Sequence, residues 1–275
     1  MVRKKFGIVF VIKRIVKFLK LYKMRYQGSK RTIIKDLKFI IEKNLGNCNY
    51  YVEPFGGGMN SFAYIKHPNK IAIDINPHVI AMWKSIQTHK FIIPEKVTQE
   101  EYYDMKNDCL TNGGKYDSAL LGYVGNACSN GCGWWNGYAH FNPNRNEDHI
   151  AEARRGLLKH IENFSGLYFA KFIHGSYNQF EYPDNCFIYC DPPYASTKGY
   201  NKNGFDNLAF WDWCREMCKR GHKVMISEYT APYDFICVWE KNRKDGMGTC
   251  RKGDAQNVKT EKLFIHRSQL RDFKF

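Results

Sequence analysis

Phe187-Ile188-Tyr189-Cys190-Asp191-Pro192-Pro193-Tyr194 is the stretch that decides how this chain folds. Its first half continues an apolar run from Cys186 and reads as a buried strand; its second half reads as a rigid loop. Two consecutive prolines, Pro192 and Pro193, fix the backbone and remove two N–H donors. What remains at the strand end is a carboxylate, a carbonyl free to accept and an aromatic ring. In an open α/β sheet, ligands bind where strands end and loops begin. The set suits activation of a planar exocyclic amine, whose lone pair is conjugated with its ring and therefore a poor nucleophile. The Asp191 carboxylate and the Pro192 carbonyl can hold its hydrogens and favour a tetrahedral nitrogen that attacks a methyl donor in line. Tyr194 can stack on a base swung out of a duplex, because the target atom is out of reach inside it.

Outward from this stretch, strand-like and helix-like segments alternate, the pattern of a mostly parallel sheet. Strands are expected at Asn49–Val52, Lys70–Ile73, Phe169–Ile173, Cys186–Cys190 and Lys223–Ile226, with Phe235–Trp239 and Leu263–His266 as a closing pair at the sheet edge. Helices are expected at Thr32–Lys43, Pro77–Thr88, Asn146–Asn163 and Asp206–Arg220. Asp206 is placed to cap the last of these, with Leu208, Phe210, Trp211, Cys214 and Met217 as its buried face. Between residues 94 and 166 the rhythm is lost in a Gly-, Asn-, Tyr- and Trp-rich stretch, read as an insertion. Residues 1–23 form a basic and apolar extension. Ile8, Ile12, Ile15, Phe18 and Leu19 fall at helical spacing, yet Lys13, Arg14 and Lys17 interrupt the run before it could span a bilayer. The extension reads as packed or dispensable sequence ahead of Met24, with membrane attachment by a basic amphipathic helix as the alternative.

Glu53-Pro54-Phe55-Gly56-Gly57-Gly58 is a glycine-rich turn between a strand and a probable helix, where glycine lets backbone approach a bound molecule. It is not Gly-x-Gly-x-x-Gly, which counts against a standard dinucleotide site. Asp74 ends the next strand about 20 residues on, the position from which a carboxylate holds ribose hydroxyls; capping of the helix from Pro77 is its alternative role. Arg25-Tyr26-Gln27-Gly28-Ser29-Lys30 offers a cation and an aromatic ring just ahead of a helix.

The chain has 275 residues, with 42 Lys and Arg against 27 Asp and Glu, a formal balance of +15 that suits a partner of dense negative charge. Its ten cysteines are scattered, several inside apolar runs, which excludes a disulfide framework and fits a reducing compartment. Cys128 and Cys132, with His140 and His149 downstream, raise zinc, but the spacing is loose and no second cysteine pair follows; they read as core or loop cysteines.

Taken in order, Tyr26-x-Gly28-x-Lys30, the Glu53–Gly58 turn, Asp74, an irregular insertion and Asp191-Pro192-Pro193-Tyr194 resemble the Dam-type N6-adenine DNA methyltransferases, especially the short forms of phages and restriction systems. The resemblance covers Met24 to the C-terminus. It implies an α/β, Rossmann-like class I methyltransferase fold, with a mostly parallel seven-stranded sheet and an antiparallel last strand. Residues 24–93 and 167–275 would form the catalytic domain, and residues 94–166 an inserted target-recognition region. It further implies S-adenosyl-L-methionine as cofactor, no metal, double-stranded DNA as partner, no membrane and a cytoplasmic, DNA-associated location. The implied reaction is methyl transfer to adenine N6 by base flipping and direct in-line attack.

Carried residue by residue, the resemblance implies that Tyr26 and Lys30 touch the cofactor, Lys30 near its carboxylate. Glu53, Phe55, Gly56 and Gly58 would shape the methionine pocket, and Asp74 would bind the ribose. Tyr177 would lie beside the cofactor adenine, and Asp191 between the cofactor amine and the target base. Arg25 would reach a guanine edge, Tyr194 the flipped base, and Trp134 either DNA or a local core. Ser227 and Glu228 would line the base pocket or serve the core. The basic run from Lys241 to Lys252 reads as a hairpin loop, solvated or touching phosphate. Methylation of another planar amine (cytosine N4, adenine in RNA, a protein amide) and a silent DNA-binding relative are the competing readings. Aspartate at position 191 favours adenine, and the intact loop with Asp74 favours an enzyme.

Overall fold

A computed structural model describes residues 24–30, 32–144, 146–193, 205–244 and 258–275. The extension 1–23, Tyr194 and the 245–252 part of the basic run lie outside the described residues. Seven strands form one sheet: β1 (Tyr50–Glu53), β2 (Lys70–Asp74), β3 (Lys171–His174), β4 (Cys186–Cys190), β5 (Lys223–Glu228), β6 (Phe235–Lys244) and β7 (Val258–His266). Their order is β3-β2-β1-β4-β5-β7-β6. The first five pair in parallel, while β7 runs antiparallel to both β5 and β6. This is the class I methyltransferase arrangement that the resemblance implied. The chain steps outward from β1 to β3 and then returns to lay β4 against β1. At such a switch point the flanking loops diverge and leave a crevice.

Strand β4 shows why an unbroken apolar run was needed. Phe187 and Tyr189 enter the core on one face, and Cys186, Ile188 and Cys190 enter the core on the other. A parallel strand covered on both faces cannot alternate with polar residues. Helix α1 (Ile34–Leu45), α2 (Pro77–Gln87) and the three helices of the insertion share the first core. The second core is closed by α6 (Asn207–Lys219), capped by Asp206 accepting from the Ala209 amide at 3.0 Å. Phe210, Trp211, Cys214 and Met217 are buried as expected, but Leu208 is 80% exposed and belongs to the solvent face. The third strand starts at Lys171, because Phe169 ends a 3-10 turn (Leu167–Phe169) and is exposed.

The insertion is not irregular. It holds α3 (Gln99–Thr111), α4 (Ser118–Ala127) and α5 (His149–Glu162). A capping box starts α3: Thr98 Oγ1 accepts from the Glu101 amide, and Glu101 returns a carboxylate to the Thr98 amide. Asp117 caps α4. The glycines that hid α4 are contact residues. A Cβ on Gly122 would stand 2.1 Å from the His78 carbonyl oxygen at the start of α2, and one on Gly125 would stand 2.6 Å from the Trp134 ring. Tyr123, Val124, Ala153 and Leu157 pack in the same core as Phe187 and Tyr189, so the insertion and the sheet share one interior.

Gly122→Ala should gain about 1 kcal/mol of helix propensity. The overlap is with backbone, which cannot swing aside, and overpacking of this kind costs about 1–3 kcal/mol or more. A lowered urea midpoint is the expected result. Gly175→Ala, whose Cβ would meet nothing within 4 Å, should leave the midpoint in place.

Candidate active site

Asp191 leaves β4 at the switch point, and Lys30 meets it from the segment before α1. Lys30 Nζ lies 2.7 Å from Asp191 Oδ1 and 3.7 Å from Glu261 Oε2 of β7; Lys30 and Glu261 are 6% and 2% exposed. A buried ammonium needs such partners, because desolvation of an unpaired charge is prohibitive. Glu53, at the end of β1, is buried beneath them. Its carboxylate accepts from the Tyr51 hydroxyl and, at 2.7 Å, from the Ser61 hydroxyl. Burial pushes Glu53 up to about 7, with the charge of Asp191 adding to the rise and the two hydroxyls and Lys70 opposing it. Lys70, at the start of β2, is brought down to about 7 by the same burial. It donates to the Phe62 and Ser165 carbonyls under the Phe62 ring.

The glycine turn is built by close approach. Gly57 has φ 49°, and its amide donates to Asp74 Oδ2 at 2.7 Å. The Tyr26 side chain lies on the turn: a Cβ on Gly57 would stand 2.6 Å from its ring, and one on Gly58 2.6 Å from its Cβ. Asp74 ends β2 and also accepts from the Asn76 amide at 2.8 Å through Oδ1. Burial raises its pKa, and these two amides work against the rise. Capping of α2 falls to Asn76, which accepts from the His78 and Val79 amides. Asp74 is buried, each of its oxygens bound to one backbone amide and keeping a second acceptor site. Ile75 beside it is 73% exposed. Ser29 Oγ and Asn60 Oδ1 are buried and have no hydrogen-bond partner among the described residues. Such oxygens call for a ligand or water.

Phe55 and Tyr177 meet at 5.3 Å between ring centroids, and Tyr177 packs 5.1 Å from Trp213, in the core closed by α6. On the insertion side, Arg25 donates to the His149 carbonyl at 2.6 Å. The exposed Gln27 is bound through its amide to the Cys132 carbonyl at 3.1 Å. Trp134 is 37% exposed and stacks on His78, whereas Trp135 is buried against Tyr102.

The sequence profile of the D12 class N6 adenine-specific DNA methyltransferases matches residues 26–244, which include every part of this crevice that precedes β7. The chain belongs to that family. The DNA adenine methylase of Vibrio cholerae serotype O1 is 24% identical over 243 residues, covering 76% of this chain and 82% of that protein. Type II methyltransferase M.MjaIII of Methanocaldococcus jannaschii is 26% identical over 246 residues, covering 74% and 82%. Modification methylase StsI of Streptococcus sanguinis is 27% identical over 210 residues, 70% of this chain; the chain spans about a third (32%) of that longer methylase.

Seen as a D12 methyltransferase, the chain brings Tyr26, Lys30, Glu53, Gly56, Gly58, Asp74, Asp191, Pro192 and Pro193 to one crevice. Phe55 and Tyr177 pack together beside it, and Arg25 and Trp134 stand at the insertion. Ser227 is wholly buried, 2.7 Å from the Tyr189 hydroxyl, and Glu228 accepts from the Tyr229 amide. Both lie at the carboxyl end of β5, an interior strand of the sheet. Cys128 is a core residue, its thiol pushed up to about 12 by burial, which suits a packed thiol rather than a thiolate ligand. Among the described residues, no three His, Cys, Asp or Glu side chains cluster as metal ligands, and no helix is long and apolar enough to cross a membrane. Sequence reading missed Glu261, Ile75, Ser29 and Asn60. Glu261 was missed because the strand was expected to start only at Leu263. Ile75 carried the clearest unused signal, an apolar residue directly after the strand-end Asp74.

Glu53 gives this site a pH signature. From its ordinary 4.5 up to about 7, the unfolded chain releases the Glu53 proton while the folded protein retains it. Rising pH in that window therefore favours unfolding, and the contribution is fully present only below 4.5. Urea denaturation of wild type and Glu53→Gln at pH 5 and pH 7 should show the variant gaining about 2 kcal/mol relative to wild type as pH rises.

Proposed function

We propose that this D12 methyltransferase transfers a methyl group from S-adenosyl-L-methionine to N6 of an adenine swung out of duplex DNA, with Asp191 and Pro192 holding the amine. The observation that carries this is the Asp191 carboxylate at the switch point, ion-paired with Lys30 and opening on the same crevice as the glycine turn and Asp74. The residues present fit the cofactor. The two remaining acceptor sites of Asp74 suit a pair of ribose hydroxyls, and exposed Ile75 suits the face of a nucleobase. The orphaned Ser29 and Asn60 oxygens suit an amino-acid end group. Two carboxylates around one lysine, Glu261 buried and Asp191 half-buried, leave a negative field that favours a cation.

When bound, S-adenosyl-L-methionine supplies an electrophilic methyl on a positively charged sulfur. The chain's part is positional and electrostatic. Asp191 and the Pro192 carbonyl accept the two N6 hydrogens and turn the nitrogen lone pair toward the methyl. Tyr26, Lys30, Glu53, Phe55, Gly56 and Gly58 shape the amino-acid end of the pocket, and Tyr177 backs its aromatic wall. Tyr194 stacks on the extruded base. Residues 94–166 choose the site on DNA, with Arg25 and Trp134 at the rim of that region.

Labelled-methyl transfer to unmethylated duplex DNA tests the reading; good cofactor binding without incorporation into DNA would overturn it. Asp191→Ala should lower kcat by at least about 100-fold while DNA affinity stays within a few-fold. Retained turnover would remove Asp191 from the chemistry. Asp74→Asn should weaken cofactor binding by about tenfold, one lost charge-assisted hydrogen bond, measured by equilibrium titration. DNA affinity should fall steeply with added salt, as phosphate contacts require.

A further inference from the structure

We infer that Glu261 is a positioning residue for methyl transfer, acting through Lys30 on Asp191. The inference rests on the reading of Asp191 given above. Lys30 carries one positive charge and faces two carboxylates, Asp191 at 2.7 Å and Glu261 at 3.7 Å. Glu261 is the more deeply buried of the two, at 2% against 21% exposed. It comes from the antiparallel strand β7, near the carboxyl end of β5, where Glu228 pairs with Lys262 in register. An acid held at 2% exposure inside a strand costs desolvation and is retained where its charge has a partner. Lys30 is one such partner, within ion-pair distance at 3.7 Å.

The geometry gives that pair a purpose. Lys30 already contacts one oxygen, Oδ1, of the carboxylate that is to accept an amine hydrogen. A lysine held by Asp191 alone would be drawn onto that oxygen and compete with the incoming amine. Glu261 draws on the same ammonium from the other side, so Lys30 stays anchored when Asp191 turns to the substrate. Glu53 lies beneath the group from β1, close enough for the charge of Asp191 to add to the rise that burial gives its pKa; burial and the carboxylates of Asp191, Glu53 and Glu261 together help to hold the Tyr189 hydroxyl of β4 neutral. The crevice therefore holds Asp191 among fixed charges, and Glu261 sets where the only lysine of the trio resides.

Glu261→Gln keeps the shape and removes the charge; Glu261→Asp keeps the charge on a shorter arm. The expected result is a kcat lowered about 10- to 100-fold by Gln, the range for misplacing a reacting group by about 1 Å. KM for DNA should change less than about threefold, and Asp should recover part of kcat. In urea denaturation without cofactor, Glu261→Gln and Lys30→Met should be non-additive, because the two groups are in contact. If Glu261→Gln folds poorly, the aspartate variant and the Glu261→Gln, Lys30→Met double variant carry the measurement. Wild-type kcat in Glu261→Gln, with Asp191→Asn inactive, would overturn this inference alone. Turnover in Asp191→Asn would overturn the reading of Asp191 and this inference with it. Additive destabilisation by Glu261→Gln and Lys30→Met would also overturn it.

Discussion

The parallel ladder between β1 and β4 is the constraint on which the crevice depends. Its register pairs Val52 with Ile188, so Glu53 leaves one strand beside Tyr189 while Asp191 leaves the other two residues further on. A slip of one residue would exchange the faces of β4, turning Phe187 and Tyr189 toward α6 and carrying the Asp191 loop away from the glycine turn. The apolar volumes on the two faces do not allow that exchange, since one face must fill the space around Trp83 and Phe62 and the other the space around Phe210. Packing deep in the sheet thus fixes the placement of polar groups at its edge.

Those polar groups are held under electrostatic tension. Glu53 is pushed up to about 7 and Lys70 down to about 7 by burial within one sheet. Asp74 is kept in place by two backbone amides rather than by a cation. Only Lys30 meets the carboxylates of the crevice as a direct ion pair among the described residues. The chain as a whole has the opposite character, with a formal excess of fifteen positive charges. Such a division suits a protein whose exterior meets a polyanion while its interior receives a cationic donor.

How much of this was legible in the sequence differs by region, for physical reasons. The buried parallel strands were readable because cover on both faces forces continuous apolar runs, as at Cys186–Cys190, which matches its expected bounds. Asp74 and the glycine turn were readable because both sit at strand ends with fixed spacing. The insertion was misread because Gly122 and Gly125 look like turn residues, whereas here they are the smooth face of a helix. The Thr98–Glu101 capping box was present and unused. Leu208 was misassigned because period alone does not tell which residue of the first turn faces out. Glu261 was beyond reach, since only the antiparallel return of β7 brings it to a lysine 231 positions earlier in the chain.

The contact of Gly122 with the His78 carbonyl has a consequence for how a duplex is handled. Helix α4 touches the first turn of α2 at backbone distance, and α2 begins three residues after Asp74. The end of β2 and the insertion are therefore packed together at this seam. A scaffold built this way works like a fixed gauge: residues 94–166 stand at a set distance from Asp191. In the reaction proposed above, the travel then falls to the nucleotide rather than to the protein.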